Sequence, residues 1–142
     1  MVNPTDSTAL RHVELALPHD PRAVGTARRV VADEIARASA QWPHLGALLD
    51  PVDRVIDEMV TDALGRCGHV LAVHLEVDTD RVEVGVVDDP PAATGRPERA
   101  PGTDDPFGRL EVVRSVASAW GVRMLPNRRW RWARVDLRRR SR

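Results

Sequence analysis

From Pro21 to Ala40 the apolar positions Val24, Ala27, Val30, Val31, Ile35 and Ala38 recur at three- and four-residue steps. Residues so spaced share one side of a helix, and the pattern predicts a long amphipathic helix. Asp20 is a suitable N-cap for it, and Pro21 suits the first helical position. The same signal returns at Asp50 and Pro51, followed by a stripe of Val52, Val55, Ile56, Met59, Val60, Ala63 and Leu64. This second helix should end near Gly65 to Gly68. Between the two, "QWPHLGALLD" reads as a loop.

Strands show the other period. "HVELAL", His12 to Leu17, alternates apolar and polar residues. So do "HVLAVHLEV" and "RVEVGVV", which the short "DTD" at Asp78 to Asp80 joins as a hairpin. Leu71, Val73, Leu75 and Val77 share one face, as do Val82, Val84 and Val86. "RLEVVRSVASAWG" predicts a third helix with Leu110, Val113, Val116, Ala117 and Trp120 inward. "VRML" and "RWRWARVDL" close the chain as two strands around a "PNR" turn.

The expected architecture is α+β, a two-layer sandwich with helices 20–40, 50–66 and 109–119 on one face of a mixed sheet. One domain spans 11–138. Residues 1–10 read as a disordered N-terminus and 139–142 as a basic tail. The stretch from Asp88 to Gly108 lacks periodicity and is rich in Pro, Gly and Asp. Loops of that length in a compact domain are functional or disordered, and 89–107 reads as a lid.

Composition narrows the function little. The 142 residues suit one core, and 21 basic residues balance 21 acidic ones. That balance gives no general ground for nucleic-acid binding, and no nucleic-acid motif accompanies the arginines of the last strand. Every basic residue is arginine, which reads as codon bias. The single cysteine excludes a disulfide framework. No run is long enough to span a membrane, and nothing resembles a signal peptide, so a cytoplasmic protein is the default expectation. His69 and His74 fall on opposite faces of their strand, and His12, His19 and His44 are scattered.

Candidate chemistry centres on Glu58 and Asp62, four apart on the second helix, off its apolar stripe. One reading is a solvated salt-bridge ladder, Arg54, Glu58, Asp62 and Arg66, contributing about 0.2–0.5 kcal/mol per pair. The other is a nucleotide site. "LPHDPRAVGTARRVV", "IDEMVTDAL", "VEVGVVDDPP" and "FGRLEVVRSVASAWGV" carry the second reading. In element order and in these strings the chain resembles the histidine-kinase-type ATPase fold (the Bergerat or GHKL fold). Within it, the chain looks most like small actinobacterial ATP-binding regulators akin to anti-sigma-factor serine kinases.

That resemblance covers about residues 12–138 and implies roles residue by residue. Glu58 matches the general base, and Asp88 the strand-end acid that reads adenine. Asp62 stands where the family has the Asn that holds Mg²⁺. Gly108 is what remains of a phosphate-cradling glycine loop, with Phe107 and Arg109 where two glycines belong and Arg109 able to pair with phosphate. Pro90 replaces another glycine. Trp130 occupies the position of a Thr near adenine, where an indole could fill the pocket. Trp130 and Trp132 share a strand face that reads as core packed against the helices or as an arginine-flanked partner patch.

The implied cofactors are ATP and Mg²⁺, but these departures together predict weakened or lost nucleotide binding. The expected function is a cytoplasmic regulator that binds a transcription-control partner, a sigma factor or its antagonist. An active Mg-ATP-dependent serine/threonine kinase acting on a separate antagonist protein is the alternative. A subunit of a heteromeric or homodimeric complex, with the open sheet face as interface, is the second.

Overall fold

The computed structural model describes residues 11–66, 70–88, 110–126 and 128–137. Their order is β1 (Arg11–Ala16), α1 (Arg22–Gln41), a 3-10 helix (Pro43–Leu48), α2 (Leu49–Arg66), β2 (Val70–Val77), β3 (Arg81–Asp88), α3 (Glu111–Val116), β4 (Ala119–Leu125) and β5 (Arg128–Asp136). The expected disordered ends, the lid, and the candidates Gly108 and Arg109 (with Pro90 and Phe107) lie outside the described residues.

The five strands form one sheet in the order β1-β2-β3-β5-β4. Every pairing is antiparallel, which corrects the mixed sheet expected from sequence. The reason is connectivity. Two helices separate β1 from β2, so the chain reverses and the strands pair antiparallel. β3 and β4 run the same way, but β5 folds back between them. The hairpin at Asp78 closes with its N–H on the Arg81 carbonyl at 2.9 Å.

The sheet has two unlike faces. Val73, Leu75 and Val77 of β2, Val82, Val84 and Val86 of β3, and Ala133 and Val135 of β5 join one buried cluster with the α1 and α2 stripes. α1 contributes Ala23, Ala27, Val31, Ile35 and Ala38, and α2 contributes Val52, Val55, Ile56, Met59, Val60 and Ala63. Burying each of the Val, Leu, Ile and Met side chains among them is worth about 1.5–3 kcal/mol. The Asp20 carboxylate accepts the Arg22 N–H at 2.8 Å, but Pro21 rather than Asp20 stands at the cap of a helix that opens at Arg22. The Arg28 guanidinium clamps α1 to α2 through Asp53 at 2.9 Å on both nitrogens. Edge strand β1 is tied to α1 where Arg11 meets the buried Glu34, which also receives Arg37 at 2.8 Å.

Two element expectations change. The 41–50 loop is a 3-10 turn that buries Leu45 and Leu48 and runs directly into α2. The third helix stops at Val116 rather than 119. Ala117 is extended, and Ser118 donates its N–H to the Arg134 carbonyl at 2.8 Å, so β5 captures the chain as strand. Trp120 therefore sits in β4 opposite Ala133 and packs on the core from there.

Gly85 marks a close approach on the other face. A Cβ there would lie 2.4 Å from Trp130 Nε1 and 2.6 Å from the Arg131 carbonyl oxygen. Because one obstacle is backbone, a side chain cannot be accommodated by rotamer change alone. Gly85→Ala should cost about 1–3 kcal/mol, read as a lower denaturant midpoint with unchanged slope. Unaltered stability would contradict this placement of Trp130.

Candidate functional site

Strand parity decides what β5 contributes. Ala133 and Val135 are in the core, so two and four residues back Arg131 and Arg129 point the same way, toward the helices. Arg131 is fully buried and Arg129 nearly so. Burying a guanidinium costs several kcal/mol unless carboxylates meet it. Asp62 on α2 meets Arg131 at 2.9 Å. Asp88, at the end of β3 and itself buried, takes Arg129 in a two-pronged pair at 3.0 and 3.0 Å. Arg131 Nη2 also lies 3.8 Å from Asp88. The formal charges of these four side chains cancel.

Glu58 is brought to the same end of α2 but serves a different contact. Its two oxygens accept the backbone N–H groups of Val112 and Val113 at 3.1 and 2.9 Å. Those are orphan donors at the start of α3, and the carboxylate caps them from 54 and 55 residues away. A negative charge is favourable at that helix end. Glu58 and Asp62 thus reach α3 and β5. Asp53 and Asp57 are the α2 carboxylates that pair with a neighbouring helix, both through Arg28.

An open cleft of about 460 Å³ remains beside them, lined by Arg54, Asp57, Glu58, Thr61, Asp62, Leu110 and Val112. The structure brings Glu58 and Asp62 to one cleft and links Asp62 to Asp88 through Arg131. Each of the three already has its own partner. A magnesium ion at Asp62 would compete with the Arg131 guanidinium, and an adenine amino group at Asp88 would compete with Arg129. A proton-accepting Glu58 would have to share its oxygens with the α3 N–H groups.

Trp130 is not with them. It lies on the opposite face of the sheet, which corrects both its reading as core against the helices and its placement in an adenine pocket. Inward parity belongs to the arginines, and the indole lies across Gly85 instead. Its ring contacts the His74 ring at 4.7 Å between centroids, and the Arg123 guanidinium carbon lies 4.8 Å from its ring centroid. Trp132 covers Gly121 on the same face, with Arg134 5.7 Å from its ring.

His74 is the functional candidate that sequence spacing missed. Antiparallel pairing of β1 with β2 brings His12 beside it, ring centroids 4.9 Å apart. Only the cross-strand register reveals that pair. Burial pushes the His74 imidazole down to about 4, and the positive charge on His12 adds to the effect.

No protein-family model matches the chain, and no curated protein does. Among the described residues no helix is long and apolar enough to cross a membrane.

Two outcomes follow from these placements. Glu58→Ala should lose about 1–2 kcal/mol of stability by uncapping α3, and Glu58→Gln less, because one acceptor oxygen remains. The folded-state value of His74 lies below its ordinary 6.5, so its contribution to stability is present above pH 6.5 and is lost as pH falls toward about 4. His74→Phe should show a smaller drop in melting temperature than wild type between pH 7 and 4. Parallel curves would contradict the burial assigned to this ring.

Proposed function

We propose that this protein is a cytoplasmic regulatory binding module on a histidine-kinase-type ATPase scaffold, one that has exchanged nucleotide for internal ion pairs. It acts by gripping a transcription-control protein, a sigma factor or its antagonist, as the resemblance to anti-sigma-factor serine kinases suggests. The observation that carries the loss of nucleotide is Arg131. Its guanidinium is fully buried, 2.9 Å from the candidate metal ligand Asp62 and 3.8 Å from the candidate adenine ligand Asp88. Arg129 holds both oxygens of Asp88. A cation built into the fold occupies charge that Mg²⁺ would otherwise balance, and drawing Asp62 away from it would leave the buried guanidinium short of a partner. Described residues of this kind do not fit Mg-ATP, and no phosphoryl-transfer step is derived through them.

The active kinase is the second reading, favoured by the cleft that persists beside Glu58, Thr61 and Asp62. Calorimetry with Mg-ATP and Mg-ADP separates the two. The proposal expects no saturable heat up to millimolar nucleotide, and partner association that is indifferent to nucleotide. Binding at micromolar strength that disappears in Asp88→Asn would overturn it and restore the kinase reading.

A further inference from the structure

We propose that the sheet face away from the helices carries a binding site for a divalent transition-metal ion, zinc foremost, formed by His12, His74 and Glu76. This site is independent of the acidic end of α2 and of the function proposed for it.

The three residues come from two paired strands. His74 and Glu76 are two apart on β2 and so share a face. His12 sits directly opposite Glu76 in the β1–β2 register. One ligand atom from each lies within 4.8 Å of the other two. His74 Nε2 and Glu76 Oε2 are 3.8 Å apart. Ligands of a tetrahedral ion at about 2.0–2.1 Å are roughly 3.4 Å from one another. The His74–Glu76 pair is thus about 0.4 Å wider than a bound ion requires and the set as a whole at most about 1.4 Å wider, and His12 is exposed and able to swing inward.

A second observation points to a ligand. His74 is 6 % exposed, yet its Nε2 has no hydrogen-bond partner among the described residues. Buried polar atoms are rarely left so, because an unmet acceptor or donor costs about 1–3 kcal/mol in lost solvation. A lone pair directed at a cation accounts for it. Glu14 stands opposite His74 on the same face, whereas Glu83, opposite Glu76, already pairs with Arg134 at 3.5 Å.

Donor chemistry selects the metal class. Two imidazoles and one carboxylate suit zinc, nickel or copper, whereas magnesium and calcium prefer all-oxygen sets. Three protein ligands leave a fourth position for water or for a group from a partner. The ion would also cross-link edge strand β1, whose side chains are mostly exposed, to β2.

The test is calorimetric titration of the untagged protein with Zn²⁺, beside His12→Ala, Glu76→Gln and, as control, His44→Ala. His12 is exposed, so its replacement leaves the fold intact, whereas His74→Ala would open a cavity at a buried position. One equivalent should bind with a rise in melting temperature. His12→Ala and Glu76→Gln should weaken binding at least about 10-fold, and His44→Ala should not. Ni²⁺ or Cu²⁺ should quench tryptophan emission in wild type and much less in Trp130→Phe, since that indole touches His74. No saturable heat and no thermal shift at 100-fold excess Zn²⁺ over a protein concentration on the order of micromolar would overturn the site. So would equal affinity in wild type and His12→Ala, which would place the ion elsewhere.

Discussion

A guanidinium with no exposure to solvent dictates much of this structure. Arg131 enters the domain because β5 keeps its alternation, and once inside it must be neutralised. Asp62 from α2 and Asp88 from β3 do so, and Arg129 completes the balance at Asp88. The contacts join the strand that ends the fold to the helix and strand at its centre. Replacing such a group by a well-packed apolar one is often neutral, whereas removing one partner alone is costly. Buried ionic clusters of this sort constrain which partner strand and which register are tolerable.

The same cluster links fold to function. In the resembled family the end of α2 and the end of β3 face a nucleotide. Here β5 supplies arginines to both carboxylates, and α3 takes both oxygens of Glu58. The carboxylates of Asp62 and Asp88 have their charge answered from within the domain. On the proposed reading, what the domain offers to a partner is surface, including the tryptophan- and arginine-bearing sheet face.

Sequence periodicity located α1, α2 and the β2–β3 hairpin because their apolar residues face one core. It misread β5 for an instructive reason. "RWRWARVD" alternates a large apolar residue with a charged one, and hydrophobicity alone puts the tryptophans inside. Counting back from Ala133 and Val135 gives the opposite parity. Trp120 was misassigned to a helix because three- and four-residue spacing continues by chance into β4. Glu58's capping of α3 spans more than 50 residues, and His12 meets His74 only after β1 pairs with β2; neither contact leaves a local trace. The candidates Gly108 and Arg109 lie outside the described residues.

The account stands on the claim that the chain's own arginines hold these carboxylates. A double-mutant cycle on Asp62→Ala and Arg131→Ala, read by equilibrium denaturation, addresses that claim directly. Residues in one buried ion-pair network should couple by at least about 1 kcal/mol, within the usual 0.5–3 kcal/mol range for contacting groups. Costs that add to within about 0.3–0.5 kcal/mol would mean the two side chains do not hold each other. The carboxylates would then be available to another ligand, and the case for an internally neutralised site would fail.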